Sequence, residues 1–383
     1  MPPVSVYTNG TVSFHPNQYV QNGPHQKLLW LGANGWIVKN EVDRELMLID
    51  PWPTYGNKTP PARKRIQDLV NYIRIKCAPA SGYRFTGVLL THGHFDHAND
   101  LPEIYRFLTK PAGKCMFLRG RKNITLSKGK VWSPDTLPPI YCDGDAVNKL
   151  KGKLKNTSSD ILNAHPWIEL KLNDQGANQT GTMGDGRRIF YALSKDDAGE
   201  ELNAGTSLPD FYCGRFHVTP YIWDHYSILT HRYKRLPGRN QKQTAFLFYR
   251  KGDNGEADGE RTFISGSAGE MKSPTFTTGK VKDIGSPGGQ FPVHLLVQAI
   301  CSNNDDGNNG ALHALVDYQK RNFRVDDHIL CTHWERFVPA PRSDGELEVD
   351  FGKVREYVNM LDDTDKPKVC VVSRWGFENQ LSG

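Results

Sequence analysis

Three histidines and an aspartate crowd into six residues directly after a short apolar run, in "VLLTHGHFDHAND" (88–100). The chain of 383 residues holds only 13 histidines, so a specific chemical role explains this cluster better than chance does. In a loop after a strand, His92 and His94 can converge on one metal ion, and the glycine between them relieves backbone strain. Asp96 and His97 come next and can serve a second ion. The pattern predicts a metal site where a strand passes into a loop.

Strand-like and helical segments alternate on both sides of this junction. Two apolar, β-branched-rich runs separated by a polar turn predict paired strands over 27–50. The segment 60–76 begins with prolines and carries apolar residues at helical spacing, which predicts a helix. A short buried strand is expected over 85–92, and a helix is expected over 98–108. Strand, helix, strand and helix in this order indicate an α/β protein.

The pattern becomes irregular and rich in Gly, Pro, Asn and Lys from about 113 to 214. Regular segments then resume, namely three strand-like runs, a helix and a last strand, at 214–223, 243–252, 261–267, 309–322 and 326–333. We therefore interpret 113–214 as an insertion into one framework. The prediction is a single domain over 1–383 with this long inserted segment.

Composition narrows the class of protein. Hydrophobic residues make up 38% and charged residues 23% of the chain, which is ordinary for a globular protein with a sizeable core. The formal net charge of +6 is mild, and its lysine-rich part (128–156) is expected to be a solvated surface, so nucleic acid is not indicated as a partner. No stretch of the sequence has the length and apolarity of a membrane span, and the first residues do not resemble a secretory signal.

The seven cysteines are an odd number, are widely scattered and include no C-x-x-C pair. A disulfide framework is therefore not expected, and a reducing compartment fits better. We expect a cytoplasmic protein that acts on a small molecule, and the sequence leaves its oligomeric state open.

The histidine cluster resembles the H-x-H-x-D-H signature of the metallo-β-lactamase superfamily, and three more segments are similar to motifs of that superfamily. "LIDPW" supplies Asp50 at a strand end, "TPYIWDHYS" supplies His225 and "ILCTHWERF" supplies His333. His217 competes for the third motif, but His225 stands in the better match. The resemblance implies an α/β fold of the four-layer αββα sandwich type. The branch containing the L-ascorbate-phosphate lactonases and the N-acyl-phosphatidylethanolamine phospholipase D enzymes is the most similar.

The resemblance also implies roles for individual residues. Two metal sites are implied, the first held by His92, His94 and His225 and the second by Asp96, His97 and His333. Asp50 and Asp96 would take part in catalysis, Asp50 by orienting ligands or the attacking water. Trp334 is a candidate substrate contact beside His333. Three histidine ligands with one open coordination position are typical of catalytic Zn²⁺. The sequence is compatible with one or two ions, and iron or manganese remain alternatives.

Two positions depart from the pattern of the superfamily. Where a strand is usually followed by an aspartate that bridges both metals, the chain reads "FISGSAGE" and has Ser267, a poor ligand for zinc. Glu270 could substitute for that aspartate, although a solvated glutamate in a turn is the simpler interpretation. In "WLGANG", Ala33 replaces a histidine that is usual in the branch. The second metal site is therefore expected to be the weaker one.

Two hypotheses about function follow. The first is a metal-dependent hydrolase that acts on a small-molecule lactone, amide, ester or phosphodiester. The alternative is a hydrolysis-deficient metal-binding sensor or a non-hydrolytic redox metalloenzyme, for which Ser267 is the main support. The redox version is disfavoured because flavin-linked di-iron members of the superfamily carry a glutamate where this chain has His94.

Overall fold

Two mixed β-sheets with flanking helices form the protein. The structure is a computed structural model, and it describes residues 19–54, 60–109, 137–142, 146, 150, 167–169, 181–182, 188–189, 205, 207–208, 210–225, 241–252, 259–266, 290–300, 310–333 and 351–371. The first sheet has seven strands: β1 (Tyr19–Asn22), β2 (Gln26–Gly32), β3 (Gly35–Asn40), β4 (Glu45–Ile49), β5 (Arg84–Leu89), β6 (Ile140–Cys142) and β7 (Trp167–Glu169). A separate two-stranded sheet pairs β8 (Gly181–Thr182) with β9 (Arg188–Ile189).

The second large sheet also has seven strands, and its order again follows the chain. It consists of β10 (Phe211–Cys213), β11 (Phe216–His225), β12 (Gln241–Arg250), β13 (Thr262–Ile264), β14 (Phe291–Ala299), β15 (Phe323–Thr332) and β16 (Val369–Val371). The described helices are α1 (Pro60–Lys76), α2 (Phe95–Ala98), α3 (Leu101–Thr109), α4 (Gly310–Asn322) and α5 (Phe351–Met360), with a 3-10 turn at Lys366–Lys368.

Both large sheets share one pairing scheme. In the first sheet the three pairings from β1 to β4 are antiparallel and the three from β4 to β7 are parallel. In the second sheet the pairings from β10 to β13 are antiparallel and those from β13 to β16 are parallel. The predicted α/β class is therefore confirmed, with strand pairs over 27–50 and the last strand as expected.

The helices of the first half follow the predicted spacing. Helix α1 begins at Pro60, where proline suits a position whose N–H needs no helical partner. Its buried side is formed by Ile66, Leu69, Val70 and Ile73, spaced three and four residues apart. Helix α3 buries Leu101, Ile104, Tyr105 and Leu108 in the same way. These two helices pack together, and Arg74 of α1 donates hydrogen bonds to backbone carbonyls near the end of α3.

A single apolar core joins the two large sheets. The rings of Tyr141 and Phe211 stack across it with centroids 4.2 Å apart. Gly87 lies so close to the second sheet that an added Cβ would come within 2.9 Å of Cys213 Sγ. At another point the amide of Thr244 donates to the carbonyl of Thr91 at 2.8 Å. The loops at the ends of the strands are thereby fixed to a closely packed framework.

Within 113–214, the described strands β6 and β7 extend the first sheet through parallel pairing. The interpretation of this range as an insertion, and the single domain over 1–383, stay predictions. Several described elements were not predicted from the sequence, namely strands β1, β10, β14 and β16 and helices α2 and α5.

Candidate metal centre

The motif residues lie at the carboxyl ends of neighbouring strands. Strands β4 and β5 run parallel with Ile49 opposite Leu89, so the residues that follow them emerge at the same edge. Asp50 follows β4 directly, and His92 follows β5 three residues after Leu89. In the second sheet, His333 follows β15 directly. Ligands commonly bind at this edge in α/β proteins.

Asp96, His97 and His333 form a buried cluster of three groups that can bind a metal. One donor atom from each lies within 4.8 Å of the other two. Asp96 Oδ2 is 2.9 Å from His333 Nε2 and 3.6 Å from His97 Nε2. Asp96 and His97 occupy the single turn of α2, whereas His333 comes from the other sheet. The cluster therefore combines donors from both halves of the fold.

His92 and His94 extend this cluster on the side of the first sheet. The ring of His92 lies 4.0 Å from that of His97 and 4.5 Å from that of His94, centroid to centroid. The rings of His97 and His333 are 5.3 Å apart. His92 is buried and His94 is half-buried. Four imidazoles and one carboxylate thus share a small volume, which is the donor set expected for zinc.

The side chain of Asp50 is fully buried next to the imidazole of His97. Its Oδ1 accepts the backbone N–H of Thr91 at 2.8 Å. Its Oδ2 accepts the Thr91 hydroxyl at 2.6 Å and the side-chain amide of Asn34 at 2.9 Å, and it lies 2.8 Å from His97 Nδ1. A carboxylate buried in this way is stable because several hydrogen bonds replace its water.

This network fixes the tautomer of His97. Since the Asp50 carboxylate only accepts hydrogen bonds, His97 Nδ1 carries the proton and the lone pair stays on Nε2. That Nε2 atom is buried and has no hydrogen-bond partner in the described structure. It faces Asp96 Oδ2, and an orphaned nitrogen of this kind beside a carboxylate fits a metal ligand.

Thr91 applies the same constraint to His92. Its hydroxyl donates to Asp50 and lies 3.0 Å from His92 Nδ1, so the hydroxyl oxygen accepts a hydrogen bond from the N–H of that nitrogen. The lone pair of the neutral His92 ring is then on Nε2, as in His97. One aspartate therefore sets the proton positions of two imidazoles, directly and through one hydroxyl.

The carboxyl of Asp96 is strongly acidic in this environment. Burial alone would raise its pKa, but the neighbouring His97 and the hydrogen bond from His333, with a smaller contribution from His94, lower the pKa well below the usual range. Asp96 is therefore an anion at neutral pH, which is the form that binds a cation.

Backbone strain is concentrated around the cluster. Four non-glycine residues in the described structure have positive φ, and three of them are Ala33 (44°), Asp50 (41°) and His333 (54°). The left-handed region costs an ordinary L-residue about 1 kcal/mol or more. The backbone amide of His333 also approaches the carbonyl of Ala33 at 3.4 Å. Such outliers often cluster at functional sites, where the surrounding structure maintains the strain.

Some of the predicted residues fall outside this description. The backbone of His225 ends strand β11, but its side chain is not described, and Ser267, Glu270 and Trp334 lie outside the described residues. The competing His217 contacts Asp210 at 3.3 Å and packs on the rings of Tyr212 and Tyr249. The assignment of ligands to two separate ions therefore stays a prediction.

Sequence reasoning overlooked three polar residues of the site: Asn34, Thr91 and Thr332. Thr91 and Thr332 immediately precede His92 and His333, and Asn34 follows Ala33 in the turn between β2 and β3. All three are buried with no more than 1% of their surface exposed. The position of each threonine directly before a predicted ligand was the available signal, whereas nothing in the local pattern marks Asn34.

Curated relatives match a limited part of the chain. A UPF0173 metal-dependent hydrolase of Polynucleobacter asymbioticus is 36% identical over 78 residues, which are 20% of this chain and 23% of that protein. A UPF0173 metal-dependent hydrolase of Paracoccus denitrificans is 35% identical over 85 residues, or 22% of this chain and 30% of that protein. The chain spans about a quarter of the length of these relatives, and it matches no protein-family model.

Solved structures show broad but distant similarity. The metallo-β-lactamase fold protein YhfI from Bacillus subtilis covers 90% of this chain with 90% of its own, at 11% identity and a TM-score of 0.39. An isothiocyanate hydrolase from Delia radicum gut bacteria covers 94% of this chain with 96% of its own, at 11% identity and a TM-score of 0.38. Scores this low establish no shared activity. The curated relatives and the two mixed sheets confirm the predicted resemblance to the metallo-β-lactamase superfamily, whereas the branch stays a prediction.

Proposed function

We propose that the protein is a metal-dependent hydrolase whose metal centre is built around Asp96, His97 and His333. The observation that carries this proposal is the buried Nε2 atom of His97. Asp50 contacts the opposite nitrogen of the ring, Nδ1, and so orients Nε2 toward Asp96. A buried nitrogen without a hydrogen-bond partner is costly, and a metal ion at that point would remove the cost. The relatives that carry the words "metal-dependent hydrolase" support the same class.

We assign His92, His94 and His225 to the first ion and Asp96, His97 and His333 to the second. The ring contacts of His92 with both His94 and His97 support adjacent ions. Imidazole nitrogens and a carboxylate suit Zn²⁺, and iron or manganese can use the same donors. When bound, Zn²⁺ supplies Lewis-acid chemistry that polarises a carbonyl or phosphoryl oxygen and makes water a nucleophile near neutral pH.

The residues of the chain contribute positioning and charge to this reaction. Asp50 holds the proton of His97 on Nδ1 and so keeps Nε2 turned toward the centre. Asp96 supplies a negative charge where a cation binds, and its buried position keeps bulk water away. The substrate class we propose is a small-molecule lactone, amide, ester or phosphodiester, with Trp334 and Ser267 as candidate contacts.

We propose a cytoplasmic location and no nucleic-acid partner. No helix in the described part of the chain could span a membrane. The described cysteines form no disulfide, which suits a reducing compartment; they are Cys77, Cys142, Cys213, Cys331 and Cys370.

Metal analysis followed by hydrolysis assays tests this function. Protein purified without added metal is measured by mass spectrometry for metal content, and then assayed with lactone, ester and phosphodiester substrates. We expect one to two ions per chain and hydrolysis that a chelator abolishes. His217→Ala is the matched control, since His217 lies on β11 and contacts Asp210. If the protein binds metal but hydrolyses none of these substrates, the alternative of a metal-binding sensor, supported by Ser267, is favoured. If His97→Ala has an unchanged metal content, the proposed metal site is refuted.

A further inference from the structure

The side chain of Asn34 joins the two halves of the metal centre. Asn34 is fully buried in the turn between β2 and β3. Its amide nitrogen donates to Asp50 Oδ2 at 2.9 Å. Its amide oxygen accepts the hydroxyl of Thr332 at 2.8 Å, across a separation of 298 positions in the chain. Asp50 belongs to the first sheet and Thr332 ends β15 in the second, so one amide spans both.

The chemistry of the two neighbours fixes the orientation of this amide. A carboxylate such as Asp50 accepts hydrogen bonds only, so it requires the NH₂ group of Asn34. The oxygen of that amide then faces Thr332, whose hydroxyl has one proton to donate. A flipped amide would place an NH₂ group against a hydroxyl and a carbonyl oxygen against a carboxylate. The contacts on both sides therefore agree on a single arrangement.

Backbone conformation does not explain the asparagine. Asparagine often occupies turns because it tolerates positive φ, but in this turn the residue with positive φ is Ala33, at 44°. Asn34 is absent from the described non-glycine residues with positive φ. The reason for an asparagine at this position therefore lies in its side-chain hydrogen bonds.

The turn is pressed closely against the metal centre. A Cβ added to Gly35 would come within 2.9 Å of the backbone oxygens of both Asp50 and Gly32. The backbone of Ala33 lies next to that of His333, 3.4 Å from carbonyl oxygen to amide nitrogen. Even one added carbon at Gly35 would meet the backbone of Asp50. The short reach of Asn34 is thus set by the packing of the backbone.

We propose that Asn34 is a positioning residue that holds His97 and His333 at a metal-binding separation. It acts on His97 through Asp50, whose Oδ2 also lies 2.8 Å from His97 Nδ1. It acts on His333 through Thr332, the preceding residue of the chain. This inference rests on the metal centre proposed above and adds the element that fixes its two halves relative to each other.

Matched variants at both ends of the bridge test the proposal. Thr332→Val keeps the shape of the side chain and removes the hydroxyl, whereas Thr332→Ser keeps the hydroxyl. Asn34→Ala removes both bonds. Zn²⁺ affinity is measured by competition with a chromophoric chelator, and the Co²⁺-loaded proteins are compared by their visible absorption spectra. We expect Asn34→Ala and Thr332→Val each to weaken Zn²⁺ binding about 10-fold or more and to alter the Co²⁺ bands.

The conservative and double variants separate positioning from general loss of stability. Thr332→Ser is expected to bind Zn²⁺ within about threefold of the wild type. The double variant Asn34→Ala with Thr332→Val is expected to bind Zn²⁺ no more weakly than the single variant with the lower affinity. The reason is that the two substitutions break the same bridge. Thr262→Val is the control, since it removes a buried hydroxyl that bonds Gln26 at the start of β2 and should leave the Co²⁺ spectrum unchanged.

The outcomes distinguish this proposal from the proposed function. If the wild type binds no metal, or His97→Ala binds it equally well, the metal centre and the bridge are both refuted. If the wild type binds metal and either Asn34→Ala or Thr332→Val matches its affinity and spectrum, the bridge alone is refuted. Additive losses in the double variant refute it as well. Should Asn34→Ala fail to fold, the contrast between Thr332→Val and Thr332→Ser decides the question.

Discussion

The two large sheets have the same pairing scheme, but their described residues contribute different numbers of groups to the candidate metal centre. Each has three antiparallel pairings followed by three parallel ones. Described groups that reach the centre from the first sheet and its helix α2 are Asp50, Thr91, His92, His94, Asp96 and His97. In the described part of the second sheet, His333 supplies the single donor of the cluster.

The loops that follow β5 and β13 illustrate the difference. After β5 in the first sheet, the chain turns into the short helix α2 and carries the histidine motif. After β13 in the second sheet, the chain reaches Gly266, where an added Cβ would lie 2.2 Å from Thr91 Oγ1. Gly266 therefore packs closely against Thr91, the residue before His92. Equal topology does not distribute chemistry equally, because function is carried by the side chains at strand ends.

The largest expected effect comes from removing a ligand of the first half. His97→Ala deletes the nitrogen that Asp50 orients, so Zn²⁺ affinity should fall by more than about 100-fold. That is more than the loss expected when a residue that only orients a ligand is removed. Far-UV circular dichroism should change little. His333→Ala, measured in parallel by metal analysis, should lose less metal, because the first half keeps its other imidazoles. An equal loss in both variants would show that the two halves share the metal evenly.

Asp50→Asn is expected to have the next largest effect, chiefly on turnover. The carboxylate accepts hydrogen bonds from the backbone amide and hydroxyl of Thr91, from Asn34 and from His97. An asparagine would present an NH₂ group to one of these donors and leave it unsatisfied, at a cost of about 1–3 kcal/mol. We expect kcat to fall about 10-fold or more while metal content falls less. Unchanged kcat would contradict the role assigned to Asp50.

Ser267→Asp sharpens the comparison by placing an aspartate where the superfamily pattern has one and this chain has serine. Residue 267 directly follows Gly266, which packs against Thr91 beside the centre. If serine leaves the second ion weakly held, a chelator titration of the wild type should remove metal in two stages. The variant should merge them by raising the affinity of the weaker site about 10-fold, an effect of roughly the size of one charged contact. Two unchanged stages would place residue 267 away from the ions.

Much of the first half could be predicted from the sequence because its signals are local. Two apolar runs separated by a polar turn marked β2 to β4, and apolar spacing of three and four residues marked α1 and α3. In the second half the sequence marked β11, β12, β13, α4 and β15, but not β14 or α5. Strand β14 begins "FP" and is apolar almost throughout, since it is buried between parallel neighbours. Helix α5 has only ten residues.

The same contrast applies to the candidate site. The motif at 92–97 can be recognised from the sequence because its metal-binding side chains are sequence neighbours. The bond between Asn34 and Thr332 joins residues 298 positions apart in the chain, so it becomes apparent only in the folded structure. No periodicity or composition of a short window contains that information. Sequence reasoning therefore finds ligands more readily than it finds the residues that hold them in place.

The smallest expected effect concerns strain in the turn that links the halves. Ala33 has a φ of 44°, which glycine adopts without steric cost, so Ala33→Gly should stabilise the fold by about 0.5 kcal/mol and raise Tm by roughly 1 °C. Gly35→Ala in the same turn should destabilise it by about 1–3 kcal/mol, because the new Cβ would meet two backbone oxygens. Chemical denaturation of both variants measures the difference. A lower stability of Ala33→Gly would contradict this expectation. It would mean that the positive φ of Ala33 causes no steric strain in the turn that links the two sheets.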